Sequence, residues 1–500
     1  MKLSSTLSLV VTAALVTLSA NAEVKLPQVF SSHMVLQRDM PIHLWGDAAA
    51  GEQVSVALRN TSATATADAL GRWSLYLPAQ PAGGPFTLAI HGTNSLDLQD
   101  ILIGDLWLAS GQSNMEMPLA GFNATTPIKD SGKEIAAVNY PQIRLLHVEK
   151  DSSEYPLEDF KAVTGWSVCA PESARKFSAV AYFFARSLQQ KQHVPIGLID
   201  STWGGTPAEA WTSLDALSSN AALMPVFAAR AEAMNHQAAG QRTDRLDAEA
   251  KAQGKTVPVR PWHPNPVSWR PAGLFNAMIA PITPLPIKGV IWYQGESNAN
   301  PQMVNLYSRL FPAMIADWRV QWHQPELPFL FVQISAYAAN PADNWGILRD
   351  AQRRTLQLSN TGMAVTIDIG EEHNIHPANK QDVGERLSLL ARSVAYKEKL
   401  VSSGPLFRYA YPERGAMHVW FDNAAGLKTQ NGAPLGFEVA AADGVFVPAT
   451  ATIEADSLAV SSPTVPEPRY VRYAWTNFPR ANLFNAAGLP ASPFTSYPVP

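Results

Sequence analysis

Four short loops of this sequence carry side chains that could do chemistry, and each directly follows an apolar run. The first is Gly111-Gln112-Ser113-Asn114, after ILIGDLWLA (101–109). Serine becomes a nucleophile when a base removes its proton and dipoles receive the developing oxyanion. The glycine lets the backbone turn tightly, and a helix start after Ser113 would aim N–H groups at the site. This is not the G-x-S-x-G turn, because position 115 is Met. Alone, Ser113 also reads as a turn or N-cap residue. The second loop, STWGGTPAEAW (201–211), offers the pair Gly204-Gly205, whose N–H groups no side chain obstructs. The third, WYQGESNAN (292–300), nearly repeats the first. It supplies the amides of Gln294 and Asn298 and the carboxylate of Glu296. Helix-like sequence after Ser297 makes that serine an N-cap or supporting residue. The fourth is DIGEEHNIHPANK (368–380). Of 11 histidines, only His373 and His376 follow a strongly apolar run beside polar groups. Pro377 holds His376 in an extended or turn conformation. Glu371, His373 and His376 also offer a metal-ligand set, though without HExxH spacing.

The elements that must position these loops are legible from periodicity. From about residue 101, strand-like runs (ILIGDLWLA, VPIGLID, IKGVIWY, LPFLFVQIS, MAVTIDIG) alternate with segments whose apolar residues recur every three or four positions. Such segments lie at 177–190, 306–318 and 379–396. The alternation predicts a parallel sheet with helices on both faces. Ligands bind beyond the carboxyl ends of such strands, so the four loops can converge. Residues 23–100 read instead as a β-sandwich, with short alternating runs punctuated by Gly, Pro, Asn and Asp. The strand rhythm returns over 401–500, with a coil tail, NLFNAAGLPASPF. Residues 212–265 break the alternation and read as a helical insertion, Ala-rich and charged, ending in VPVRPWHPNP.

The chain of 500 residues favours two to four domains. Its net charge of −4 and the absence of a Lys/Arg run argue against a nucleic-acid partner. Residues 1–22 have the layout of an export signal, with Lys2, an apolar stretch and Ala20-Asn21-Ala22, so cleavage is expected after Ala22 and the protein is expected to be periplasmic or secreted. Nothing downstream is long and apolar enough to span a membrane. The single cysteine, Cys169, can form no disulfide within the chain and reads as a small buried residue.

Taken together, GQSNMEMPL, WGGTPAEAW, WYQGESN and IHPANK…VGERL resemble the sialate O-acetylesterase family, which are SGNH-type carbohydrate esterases. The resemblance covers about 101–396, and the flanking β regions resemble the family's accessory domains. It implies an α/β fold: a flavodoxin-like SGNH hydrolase core with a parallel sheet (101–400), flanked by N-terminal (23–100) and C-terminal (401–500) β-sandwich-like regions. It also implies a carbohydrate O-acetylesterase that acts on an O-acetylated sugar or glycan through an acetyl-enzyme, without cofactor or metal. Ser113 matches the family's nucleophile and His376 its general base. The backbone N–H groups of Ser113 and Gly205 would form the oxyanion hole, joined by the amide of Gln294 or, second, Asn298. One position departs: Asn374 stands where the family commonly has an aspartate two residues before the histidine. A neutral amide can orient an imidazole but cannot stabilise imidazolium as a carboxylate does. Glu296 is therefore assigned as the third catalytic residue, with a Ser–His dyad or Asp368, Glu371 or Glu372 as alternatives.

The sugar is open between sialic acid and plant glycans such as xylan or xyloglucan. A sialic acid site needs an arginine for the carboxylate, and Arg270 and Arg349 are candidates. Trp203, Trp211, Trp262 and Trp292 suit a sugar or a hydrophobic core equally. A non-catalytic carbohydrate-binding protein explains the β regions but not four polar loops at strand ends. A lipase or arylesterase would need an exposed acyl pocket.

Overall fold

The apolar runs become strands because a parallel sheet buries both faces and leaves no position for alternation. Five of them, with two further strands (the second and third here), form the central sheet: β1 (Ser95–Gly111), β2 (Tyr140–Val148), β3 (Ala162–Cys169), β4 (Ile196–Thr202), β5 (Gly289–Tyr293), β6 (Phe329–Val332) and β7 (Thr361–Ala364). Their order is β7-β6-β5-β1-β4-β2-β3. Every neighbouring pair is parallel except β2 with β3. The computed structural model describes residues 23–123, 126–255 and 267–498, with side chains for all but 229, 230 and 232–243. The export signal, Trp262 and the stretch VPVRPWHPNP lie outside the described residues.

The chain leaves β1 to build one side of the sheet, through β2, β3 and β4, and then the other, through β5, β6 and β7. β1 is thus the switch point, the place where an open α/β sheet offers a crevice to ligands. Register makes the crevice level. Thr202 of β4 and Tyr293 of β5 both align with Gly111 of β1, so three strands end side by side. Gly111 is at φ +134°, and a Cβ there would lie 2.2 Å from the Tyr293 carbonyl oxygen. Only glycine fits this approach.

The main helices are α1 (Ser113–Glu116), α2 (Ala179–Gln192), α3 (Pro225–Ala252), α4 (Val304–Gln321), α5 (Trp345–Arg354) and α6 (Lys380–Val394). α2 packs on α6 and α4 on α5. The segment read as a helical insertion contains α3, which is 28 residues long. Among the described residues no helix is long and apolar enough to cross a membrane. Cys169 is buried, and that burial pushes its thiol up to about 12.

The N-terminal region is antiparallel, as its alternating burial requires: Arg72–Leu77 turns every second residue inward. β1 does not start where the sequence rhythm changes. Its first half pairs with Gly83–His91 and Val35–Gln37, and its second half lies between β4 and β5. At the handover Asp105 is fully buried. It accepts hydrogen bonds from Arg38 Nε (2.8 Å) and the Tyr396 hydroxyl (2.7 Å). The C-terminal region has two antiparallel four-stranded sheets around its own core of Met417, Val419, Val460, Val471 and Phe494. The tail expected as coil contributes two short strands, Leu483–Phe484 and Phe494–Thr495.

Candidate active site

Ser113 opens α1 directly beyond the level ends of β1, β4 and β5. His376 reaches it from the loop after β7, and the Ser113 Oγ–His376 Nε2 distance is 2.8 Å. The two residues are 263 positions apart in sequence. Asn374 touches the His376 backbone rather than its ring: its Oδ1 accepts the His376 N–H at 3.0 Å. This local turn follows from the short amide side chain, and Pro377 restricts His376 further. The Phe122 ring meets the imidazole edge-to-face at 5.3 Å.

Asn114, next to Ser113, joins the serine loop to the histidine loop. Its Nδ2 donates to the Ile375 carbonyl (3.0 Å) and to Glu296 Oε1 (2.5 Å). Its Oδ1 accepts from the Lys380 ammonium. Lys380 is 1% exposed at the start of α6. Burial pushes its ammonium down to about 7, against the pull of Glu296 and Glu371. Burial likewise raises the Glu296 carboxyl, and its Oε2 has no hydrogen-bond partner among the described residues. Gln112, also buried, ties the first loop to the third: its Oε1 accepts the N–H groups of Gly295 (3.4 Å) and Ser297 (3.3 Å). Asn114, Lys380 and Gln112 are absent from the sequence-derived site. Asn114 and Gln112 flank the serine, whereas a lysine at a helix start reads as solvated.

The acid expected for His376 lies elsewhere. Glu296 bonds to Asn114, and no hydrogen bond joins it to the imidazole. Among the described residues, no carboxylate bonds to His376 Nδ1: Asp368 pairs with Arg386 at 2.7 Å, Glu371 accepts from Ala378 N–H and Asn374, and Glu372 approaches His373 at 4.0 Å. His373 itself is exposed. Burial, then the charge of Lys380, holds the imidazole down to about 4. His376 is therefore neutral over the whole physiological range and able to accept a proton from Ser113.

Gly204 and Gly205 face the serine. A Cβ on Gly204 would lie 3.2 Å from Ser113 Cβ, so a side chain there would crowd Ser113. The Gly204 N–H donates to Glu116 Oε2, whose other oxygen pairs with Lys150 at 2.6 Å. Gly205, at φ +72°, and Ser113 have no protein acceptor for their backbone N–H groups among the described residues. Gln294 and Asn298 are fully buried. Gln294 Nε2 donates to Thr206 O (3.2 Å) and Asn298 Oδ1 (2.6 Å), which uses both its hydrogens. Asn298 Oδ1 also accepts the Ala208 N–H, and its Nδ2 donates to Glu209. Both amides thus brace the loop that presents Gly205. Buried Glu209 is pushed up to about 7.

Both arginines considered for a sugar carboxylate are engaged. Arg349 is fully buried and donates to the carbonyls of Ile334, Ser335, Thr476 and Asn477. Arg270 pairs with Glu154 at 3.3 Å. Trp211 and Trp292 are fully buried in the core.

Comparison with known proteins identifies the family. Residues 251–391 match the family model described as carbohydrate esterase, sialic acid-specific acetylesterase. The chain is 31% identical to the sialate O-acetylesterase of Mus musculus, over 96% of each chain. It is also 31% identical to that of Homo sapiens, over 96% of this chain and 94% of the relative. A crystal structure of a carbohydrate acetylesterase from Xanthomonas citri superposes with a TM-score of 0.81 at 38% identity, covering 95% of this chain and all of that one. The chain belongs to the sialate O-acetylesterase family and is an esterase acting on acetyl esters of carbohydrates.

Proposed function

We propose that the protein removes acetyl groups from sugar hydroxyls by a Ser113–His376 dyad arranged as in SGNH hydrolases. The observation that carries this reading is the 2.8 Å hydrogen bond between Ser113 Oγ and His376 Nε2 at the carboxyl edge of the parallel sheet. His376 takes the serine proton as Oγ attacks the acetyl carbonyl. The backbone N–H groups of Ser113 and Gly205 stabilise the oxyanion, each such donor contributing about 3 kcal/mol. The tetrahedral species collapses, His376 returns the proton to the departing sugar oxygen, and the acetyl group stays on Ser113. Water, deprotonated by His376, then attacks the acetyl carbonyl, the bond to Ser113 Oγ breaks, and His376 returns the proton to Oγ as acetate leaves. Gln294 and Asn298 shape the Gly205 loop. Asn114 links the two catalytic loops, with Glu296 and Lys380 as its charged partners.

The substrate is an O-acetylated sugar. The relatives' name points to sialate esters. A neutral plant-type glycan is the second reading, favoured by the engagement of Arg349 and Arg270. The export layout of residues 1–22 makes the protein periplasmic or secreted, with Glu23 as the mature N-terminus. Acetate release by wild type and Ser113→Ala, on O-acetylated sialic acid and on acetylated xylan oligosaccharides, tests both points. Release from one substrate, abolished in a folded variant, supports the dyad and names the sugar class. Near-native turnover by Ser113→Ala sinks it.

A further inference from the structure

The C-terminal sheet carries a row of aromatic rings on the face turned away from its core. β8 (Leu406–Glu413) and β9 (Ala416–Asp422) pair antiparallel, with Tyr409 opposite Trp420 and Tyr411 opposite His418. Side chains alternate along a strand, so these four project from one face while Met417, Val419 and Phe421 fill the core. A register shift between Phe407 and Tyr409 allows Phe407 to pack inward and Tyr409 outward. Tyr409 is 45% exposed, Tyr411 40% and Trp420 38%. The rings run nearly parallel: 21° between Tyr409 and Trp420, 23° between Tyr409 and Tyr411, and 18° between Tyr411 and His418. Beyond β9, small residues continue the face. On β11 (Ser457–Ser461), Ser457 stands beside Trp420 and Ala459 beside His418. On β10 (Thr450–Glu454), Thr452 and Glu454 follow. The small side chains leave room for Glu454 to reach His418 at 3.4 Å.

A contiguous exposed row of one tryptophan and two tyrosines marks a binding surface rather than ordinary exposed hydrophobics. Its chemistry is specific. Aromatic faces accept the C–H side of a pyranose ring, and the Glu454 carboxylate and Thr452 hydroxyl can take sugar hydroxyls. The arginines of the face are taken: Arg408 pairs with Asp422 (3.8 Å) and Arg414 with Glu413 (3.9 Å), while the Glu454 carboxylate stands 3.4 Å from His418. The face therefore offers neither arginine unpaired to an anionic chain or lipid. From this juxtaposition we infer that the β8–β9 face is a second carbohydrate site, which holds a neutral polysaccharide by ring stacking while deacetylation proceeds at Ser113. The inference rests on the second reading above, of the protein as an acetylesterase of neutral glycans.

The test separates binding from hydrolysis. Wild type, Tyr409→Ala, Trp420→Ala and Trp420→Phe are run through native gels containing a deacetylated neutral polysaccharide, xylan or xyloglucan. Retardation of wild type is expected, weakened about 5-fold or more in each alanine variant and largely kept by Trp420→Phe. Turnover of a small soluble acetyl ester should be unchanged in all of them, which reports an intact fold and catalytic site. Equal retardation of the alanine variants overturns the inference, as does absence of retardation of wild type on both polymers. A wild-type dimer that Trp420→Ala dissociates also overturns it, because the face then belongs to a second copy. Loss of esterase activity on every sugar, with retardation intact, would instead count against the catalytic reading alone.

Discussion

Protonating His376 should end turnover, so the pH at which activity falls reads the state of its imidazole. An ordinary histidine, with a pKa near 6.5, is only about 3% neutral at pH 5. Burial and Lys380 hold this one at about 4, which leaves it about 90% neutral at that pH. The fraction of enzyme with a competent base is thus about 30-fold greater at pH 5 than for an unperturbed ring. The assay is kcat/KM for a short acetyl ester between pH 3.5 and 8, and the acid limb is expected near 4. Lys380→Gln keeps a donor for Asn114 and removes the charge. Its limb should move up, yet stop short of the ordinary value, because burial is the larger cause. The same group links pH to stability. Between about 6.5 and 4 the unfolded chain binds a proton here that the folded chain does not, so stability falls as pH drops through that window. The loss is about 2 kcal/mol once the ring's partial contact with water is allowed for. A wild-type limb near 6.5, or a limb that Lys380→Gln leaves unmoved, would refute the reasoning.

Other parts of the structure give independent tests. Asn114→Ala strands a buried ammonium and a buried carboxylate, and should cost about 3 kcal/mol in urea unfolding. In the same variant kcat should fall while KM for a short ester is kept, and an unchanged unfolding midpoint would remove the link between the loops. Gly111→Ala forces a Cβ against the Tyr293 carbonyl and should lose about 3 kcal/mol or more, or fail to accumulate as soluble protein. Arg349→Met leaves four carbonyls without their donor and should destabilise by about 3 kcal/mol; calorimetry decides. Native Cys169 should resist a disulfide reagent and react fully in denaturant.

Periodicity located the helical segments well. The windows 177–190, 306–318 and 379–396 correspond to α2, α4 and α6, whose apolar stripes must meet the sheet. Strand starts were harder to read. SLDLQD alternates like the N-terminal region and ILIGDLWLA does not, yet one strand contains both, because it is half-buried first and buried on both faces later. In the site, the order of four loops at strand ends brought Ser113 and His376 into view. Lys380 stayed hidden: nothing local distinguishes a lysine at a helix N-terminus that faces solvent from one that faces a carboxylate inside the protein. Glu296 was placed against the wrong side chain because its loop fixes the neighbourhood and not the direction of the carboxylate. Trp211 and Trp292 followed the core alternative, as large apolar rings do when a strand or helix turns them inward.

The continuity of β1 bears on heredity as well as on structure. The strand that ends beside Ser113 begins in the N-terminal sheet, and Asp105 pins its midpoint to Arg38 and Tyr396. A recombination breakpoint between residues 95 and 111 would split one beam between two genes and strip pairing from both halves. The N-terminal region cannot be exchanged like a cassette on a linker. It and the central sheet share one strand, so a functional chimera must carry both from the same parent.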